Sequence, residues 1–143
     1  VDAVYGKIQT IEANDMPIGI FPRHTALQLA NPLLLSFFNY IPHQATFVRR
    51  TVFTQFGNFD TKLAAYMDYD FWLRIIRKVK WKFIDLVISN YRIHESAQSS
   101  GKINRKINEA NHETVLQRHL SPTQRLLAKA IHTILFLYYR MER

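Results

Sequence analysis

Apolar positions along this chain switch between a strand-like and a helix-like rhythm. Val4, Ile8 and Ile11 sit among β-branched neighbours and predict a strand over Val1–Ala13, with Gly6 as a bulge or a point of close backbone approach. Asn14-Asp15 reads as a turn, and Met16–Ile20 as a loop or short extended piece. Thr25–Ala30 suits a helix. Asn31-Pro32 caps a second one running through Leu35 to Phe38, and Pro42 ends that segment. Gln44–Val48 reads as a short buried strand and Arg50–Phe56 as a short helix, with Gly57 as the residue that stops it. A helix follows over Asp68–Lys78. Trp81–Ile84 and Leu86–Tyr91 read as two strands broken at Asp85. His94–Gly101 is polar and serine-rich, the composition of a flexible loop. Lys102–Leu120 is a polar amphipathic helix. Ser121 at N-cap and Pro122 at N1 then open a last helix reaching about Met141. The order is that of an α/β chain followed by a helical tail, without an internal repeat.

The Asp68–Lys78 helix carries the most pointed chemistry. Trp72, Ile75, Ile76 and Val79 recur at i, i+3, i+4 and i+7, a core-facing stripe. Asp68 lies four residues before Trp72 and is expected to share that stripe. Asp70 lies four before Arg74 and seven before Arg77 and is expected on the polar side. Two readings of Asp68 stand side by side. A carboxylate aimed along an apolar stripe at a helix mouth suits a general base, and an aspartate at a helix start also suits an N-cap.

Bulk properties narrow the setting. At 143 residues the chain is long enough for one domain with a core, and 48% hydrophobic against 21% charged residues is the balance of a folded protein. It contains no cysteine, which excludes disulfides and thiolate metal sites and fits a reducing compartment. The start, Val-Asp-Ala-Val-Tyr, has neither a basic nor an apolar leader segment and no initiator methionine, so a piece of a longer cytoplasmic protein is expected. Net charge is +8, and residues 101–143 hold eight Lys and Arg against three Asp and Glu. Such a tail either meets an anionic neighbour or is a solvated helix face.

Four short signals follow one another: His43-Gln-Ala-Thr-Phe-Val-Arg49, Gly57-Asn-Phe-Asp60, Asp68-Tyr-Asp-Phe-Trp-Leu-Arg74, and Tyr91-Arg-Ile-His94 with Ser99-Ser100 after it. In this order they resemble the C-terminal, acceptor-side part of bacterial family 2 glycosyltransferases of the GT-A fold. These inverting enzymes build O-antigen, capsule and other cell-envelope polysaccharide. The resemblance covers residues 1–100, with residues 101–143 as a helical C-terminal tail.

The resemblance implies a hexosyltransferase-type reaction on a nucleotide-diphosphate sugar, with a saccharide or lipid-linked acceptor. It makes Asp68 the base that takes the acceptor proton. It makes Asp70, His43, Gln44 and Trp72 the residues that orient this base or touch the acceptor, with His43 and Gln44 alternatively satisfying buried backbone groups. Arg92, His94 and Ser99 would face the diphosphate, the Ser96–Gly101 loop closing over it as a lid. A divalent metal, Mg2+ or Mn2+, would be held with His94 as one ligand beside an Asp-x-Asp pair upstream. Two departures stand out. Met67 occupies the place where the family usually has Glu, and no Asp-x-Asp precedes residue 60. The chain alone is therefore expected to be inactive.

The tail adds a partner question. Leu126–Met141 is apolar on most sides and flanked by Arg125, Lys129, Arg140 and Arg143, yet too short and interrupted to span a bilayer. It suits either an interfacial helix at the inner membrane or a helix packed on the domain or on a second subunit of a homo-oligomer. Two non-enzymatic readings remain beside the transferase. One is a basic binding module for membrane or nucleic acid; nucleic acid is the weaker partner, because most aromatics fall at core-like spacings. The other is a structural piece that dimerises through an apolar sheet edge.

Overall fold

The structure, a computed structural model, describes residues 1–23, 30–94 and 105–141, with 132–141 described by backbone alone. The predicted helix at Thr25–Ala30, the start of the helix at Lys102 and the loop containing Ser99 lie outside or largely outside these residues. Among the described residues the chain is a mixed α/β unit: four strands in one sheet and five α-helices.

The central strand is β1 (Ala3–Ile11). Along one edge it pairs in parallel with β4 (Trp81–Arg92). Two short antiparallel strands share its other edge. These are β3 (Thr46–Val48) against Ala3–Tyr5 and β2 (Pro17–Phe21) against Ile8–Ile11. Gly6 is both a register break and a tight approach. The register to β4 shifts between Tyr5 and Lys7, and a Cβ at Gly6 would lie 2.4 Å from Ile88 Cδ1 and 2.9 Å from the Leu86 carbonyl oxygen. The buried apolar side chains of β1 are Ala3, Tyr5, Ile8 and Ile11. The expected break at Asp85 is corrected to one continuous strand. Extra β4 residues are absorbed by the irregular register, and exposed Asp85 pairs with Lys7 of β1.

The helices follow their end signals closely. In α1 (Pro32–Phe37) the Asn31 side chain accepts from the Leu33 and Leu34 amides at 2.9 and 3.2 Å, and Pro32 occupies N1. α2 (Arg50–Phe56) ends at Gly57, whose φ of 83° suits glycine. α3 spans Met67–Ile75, α4 Arg105–His119 and α5 Pro122–Met141. At the start of α5, Ser121 and Gln124 form a reciprocal capping box. The Ser121 amide donates to Gln124 Oε1 at 2.9 Å, and the Gln124 amide donates to Ser121 Oγ at 3.3 Å. The buried strand expected over Gln44–Val48 is corrected: His43–Ala45 is a 3₁₀ turn, and Phe47 in β3 is 62% exposed.

One hydrophobic core joins the sheet to all this. Tyr5, Leu35, Tyr40, Tyr69, Phe71, Trp72 and Ile75 are fully buried in it, and Val115, Leu116, Leu120 and Ala128 of the C-terminal segment belong to the same cluster. Burying large side chains such as these contributes about 1.5–3 kcal/mol each.

Candidate functional site

The site is organised by the first turn of α3. The residue before it, Tyr66, takes the left-handed conformation (φ 64°, ψ 14°), and no side chain caps the helix there. The cap role offered for Asp68 is therefore corrected: Asp68 lies inside the helix, and its Oδ1 accepts from the next amide, that of Tyr69, at 2.8 Å. Left-handed backbone at a non-glycine residue costs about 1–2 kcal/mol and persists where the surroundings hold it.

The two carboxylates exchange the places that helical spacing gave them. Asp68 is half-buried rather than in the stripe. It lines a cavity of ≈ 180 Å³ with Asn39, Ala65, Tyr66 and Asn108. Asp70, expected on the polar side, is only 2% exposed. The reason is α4, which lies over that side of α3 and brings His119 and Arg118 to it. His119 Nε2 is 2.9 Å from Asp70 Oδ1, Arg118 reaches the same oxygen at 3.4 Å, and Arg74 pairs with Oδ2. Because an ionised carboxylate only accepts, the facing His119 nitrogen is the donor. Burial pushes the Asp70 carboxyl up, but hydrogen bonds from His119 and Arg74 outweigh it and hold the group below its ordinary value.

The same cations tie in the loop before α3. Arg74 donates through Nη1 to the Phe56 and Asn58 carbonyls, both at 3.0 Å, and Arg118 donates to Asp60 Oδ2 at 2.8 Å. Asp60 in turn accepts from the Lys62 amide at 2.9 Å, and its carboxyl is lowered first by this bond and then by Arg118. Gly57-Asn-Phe-Asp60 is thus fastened to the helix that carries Asp68 and Asp70.

Rings complete the assembly. Phe59 stands edge-on to Phe53, Phe71, Trp72 and His43, with centroids 5.2–6.2 Å apart. Trp72 is 1% exposed and packs against Trp81 at 5.6 Å, so it is a core residue with no surface for an acceptor. Its Nε1 finds no hydrogen-bond partner among the described residues. His43 and Gln44 are both exposed, which removes the alternative in which they satisfy buried backbone groups. The His43 ring rests on Phe59 and Trp72.

No family model matches this chain, and no curated protein does either. The site must therefore be weighed on its geometry. Three of the four sequence signals converge on α3. The fourth lies at the far end of β4. There Arg92 clamps the β1–β2 turn, donating to the Glu12 and Ala13 carbonyls at 3.0 and 2.8 Å and to Asp15 Oδ1 at 2.6 Å. That guanidinium has donors already committed to the turn, and His94 is exposed two residues beyond it. Among the described residues no three His, Cys, Asp or Glu side chains are placed to share a metal ion. No described helix is long and apolar enough to cross a membrane.

Sequence reasoning predicted α4 as a helix over Lys102–Leu120 but missed that it packs against the site. Asn108, His112, Val115 or Leu116, and His119 recur at spacings of three and four, and all are buried or half-buried. His112 stacks near both Tyr66 and Tyr69, with centroids at 4.8 and 6.1 Å. Two histidines closing the ends of an apolar pair were the available signal.

Proposed function

We propose that this chain is the acceptor-side part of an inverting glycosyltransferase of GT-A type, using a nucleotide-diphosphate sugar. The observation that carries the proposal is the contrast between the two aspartates of one helical turn. Asp70 is sealed among three cationic or protonatable groups. Asp68 keeps an accessible face beside a cavity, at the positive end of a helix. The ordered His43, Gly57–Asp60 and Asp68–Arg74 signals pack into one unit around that turn, which supports the resemblance they carry in sequence.

The chemistry asked of Asp68 is modest and specific. An acceptor hydroxyl attacks the anomeric carbon as the bond to the diphosphate breaks with inversion. The hydroxyl proton passes to a carboxylate oxygen of Asp68, and the electron pair of the broken bond leaves with the diphosphate. The Tyr69 amide holds Oδ1, so Oδ2 is the oxygen free of that bond. The nucleotide-sugar crevice and any divalent cation belong to sequence beyond these residues, and the present side chains assign no step to a metal.

The test is transfer from nucleotide-diphosphate sugars to saccharide acceptors by the natural polypeptide containing this chain. Asp68→Asn is expected to lower kcat by roughly 10²–10⁴ with sugar-nucleotide binding retained. Undiminished transfer by Asp68→Asn overturns the proposal.

A second reading has one observation in its favour. Leu126 and Leu127 at the first turns of α5 are 73% and 51% exposed, with Arg125 and Lys129 beside them. That combination suits an anionic lipid surface. Both cations also pair with Glu113, at 4.0 and 2.8 Å. Co-sedimentation with phosphatidylserine vesicles, lost in Leu126→Asp, is the corresponding test.

A further inference from the structure

The first turn of α3 lacks the usual supports. It has no side-chain cap, and it starts from a left-handed tyrosine. Asp68 nevertheless has to hold one orientation to act on an incoming hydroxyl. Most of the groups that fix this turn come from α4, which lies outside every sequence signal. His119 and Arg118 hold Asp70, two residues after Asp68. The His112 ring sits against Tyr66 and Tyr69, two residues before and one after. Asn108 forms a wall of the Asp68 cavity. Tyr69 is pinned from the other side by its hydroxyl, which donates to the Leu35 carbonyl at 2.8 Å.

We propose that α4 is the positioning element of the Asp68 carboxylate, with His119 acting through Asp70 and His112 through the two flanking tyrosines. The inference rests on the reading of Asp68 as the base and adds a dependence that the motifs do not contain. His119 is a positioning residue: it touches Asp70, not the reacting atoms. Arg118 cannot replace it, because its guanidinium is shared with Asp60 and its reach to Asp70 is the longer one. Misplacement of a reacting group by a fraction of an ångström lowers the chemical step without weakening substrate binding.

The experiment compares His119→Ala, His119→Gln and a control, Arg105→Ala, which among the described residues breaks an exposed pair with Glu109 on the same helix. Glutamine keeps an N–H donor near the position of Nε2. His119→Ala is expected to lower kcat roughly ten- to hundredfold with KM for the sugar nucleotide unchanged. His119→Gln should recover most of the loss, and Arg105→Ala should match the unaltered protein. Amide exchange over Met67–Phe71 is read in parallel. It should accelerate about tenfold in His119→Ala and return in His119→Gln. Exchange unchanged by His119→Ala, or a glutamine variant as impaired as alanine, overturns the inference. All variants are made in the natural polypeptide containing this chain; if its unaltered form transfers no sugar, the functional reading fails, and the exchange arm still decides whether α4 holds the turn.

Discussion

Replacing Asp70 by asparagine removes a charge from the most enclosed polar site described. The carboxylate is 2% exposed and faces Arg74, His119 and Arg118. Hydrogen bonds to a charged group contribute ~1.5–3 kcal/mol each, and removing one partner of a buried pair costs ~3–5 kcal/mol. Two features lower the figure here. Asparagine keeps one accepting oxygen of nearly the same shape, and the side chains of Arg74 and Arg118 are 26% and 41% exposed, so water reaches them. A loss of about 2–3 kcal/mol at pH 7 follows, or roughly 5–10 °C in Tm for a chain of this size. Urea unfolding followed by tryptophan emission measures it, since Trp72 and Trp81 stand against each other in the core. The pH dependence has a definite sign. The Asp70 carboxyl lies below its ordinary value in the folded chain, so its contribution is fully present above the unfolded pKa of about 3.9 and fades as pH falls through the folded value. The gap between the unaltered protein and Asp70→Asn should therefore be full at pH 6–7 and narrow below about pH 3.5. A gap under ~0.5 kcal/mol at neutral pH, or one that stays constant into acid, refutes the reasoning.

Three other substitutions separate the roles assigned above. Asp68→Asn should cost no more than ~1 kcal/mol of stability, because it loses only the helix-end charge effect and keeps an accepting oxygen; the same urea titration checks this against Asp70→Asn. Gly6→Ala should destabilise by about 1–3 kcal/mol, since its Cβ meets Ile88 and the Leu86 carbonyl, and a thermal melt matching the unaltered protein would contradict the close approach of β1 and β4. Ser121→Ala should cost about 1 kcal/mol and raise amide exchange at the first turn of α5, while leaving exchange in α3 as it was.

Local signals were legible wherever a few neighbouring residues decide the outcome. Asn31-Pro32, Gly57 and Ser121-Pro122 each set a helix end through a bond or a backbone angle within four residues. Gly6 marked the close approach of β1 to β4 for the same reason. The two aspartates were misplaced because their burial is decided across the sequence. The stripe Trp72, Ile75, Ile76 and Val79 runs past the end of α3 at Ile75 and leaves out Tyr69 and Phe71, which are buried too. A helix wrapped on most sides has no polar face, and only the approach of α4 reveals that Asp70 is covered. α4 itself is a polar helix with Val115 and Leu116 as its fully buried residues, too few to announce a docking face. The continuous β4 escaped for a related reason. A charged residue reads as a strand end, whereas the Lys7–Asp85 pair across the strands lets it stay.

The ion pairs of α4 fall into two environments, and dissolved salt distinguishes them. Glu113 meets Lys129 and Arg125 of α5 in partly open water, where a Debye length near 8 Å at physiological ionic strength already weakens them. The pairs at Asp70 have a carboxylate closed off from solvent, so salt weakens them less. Raising ionic strength should thus ease the junction between the last two helices first and leave the grip on α3 until much harsher conditions.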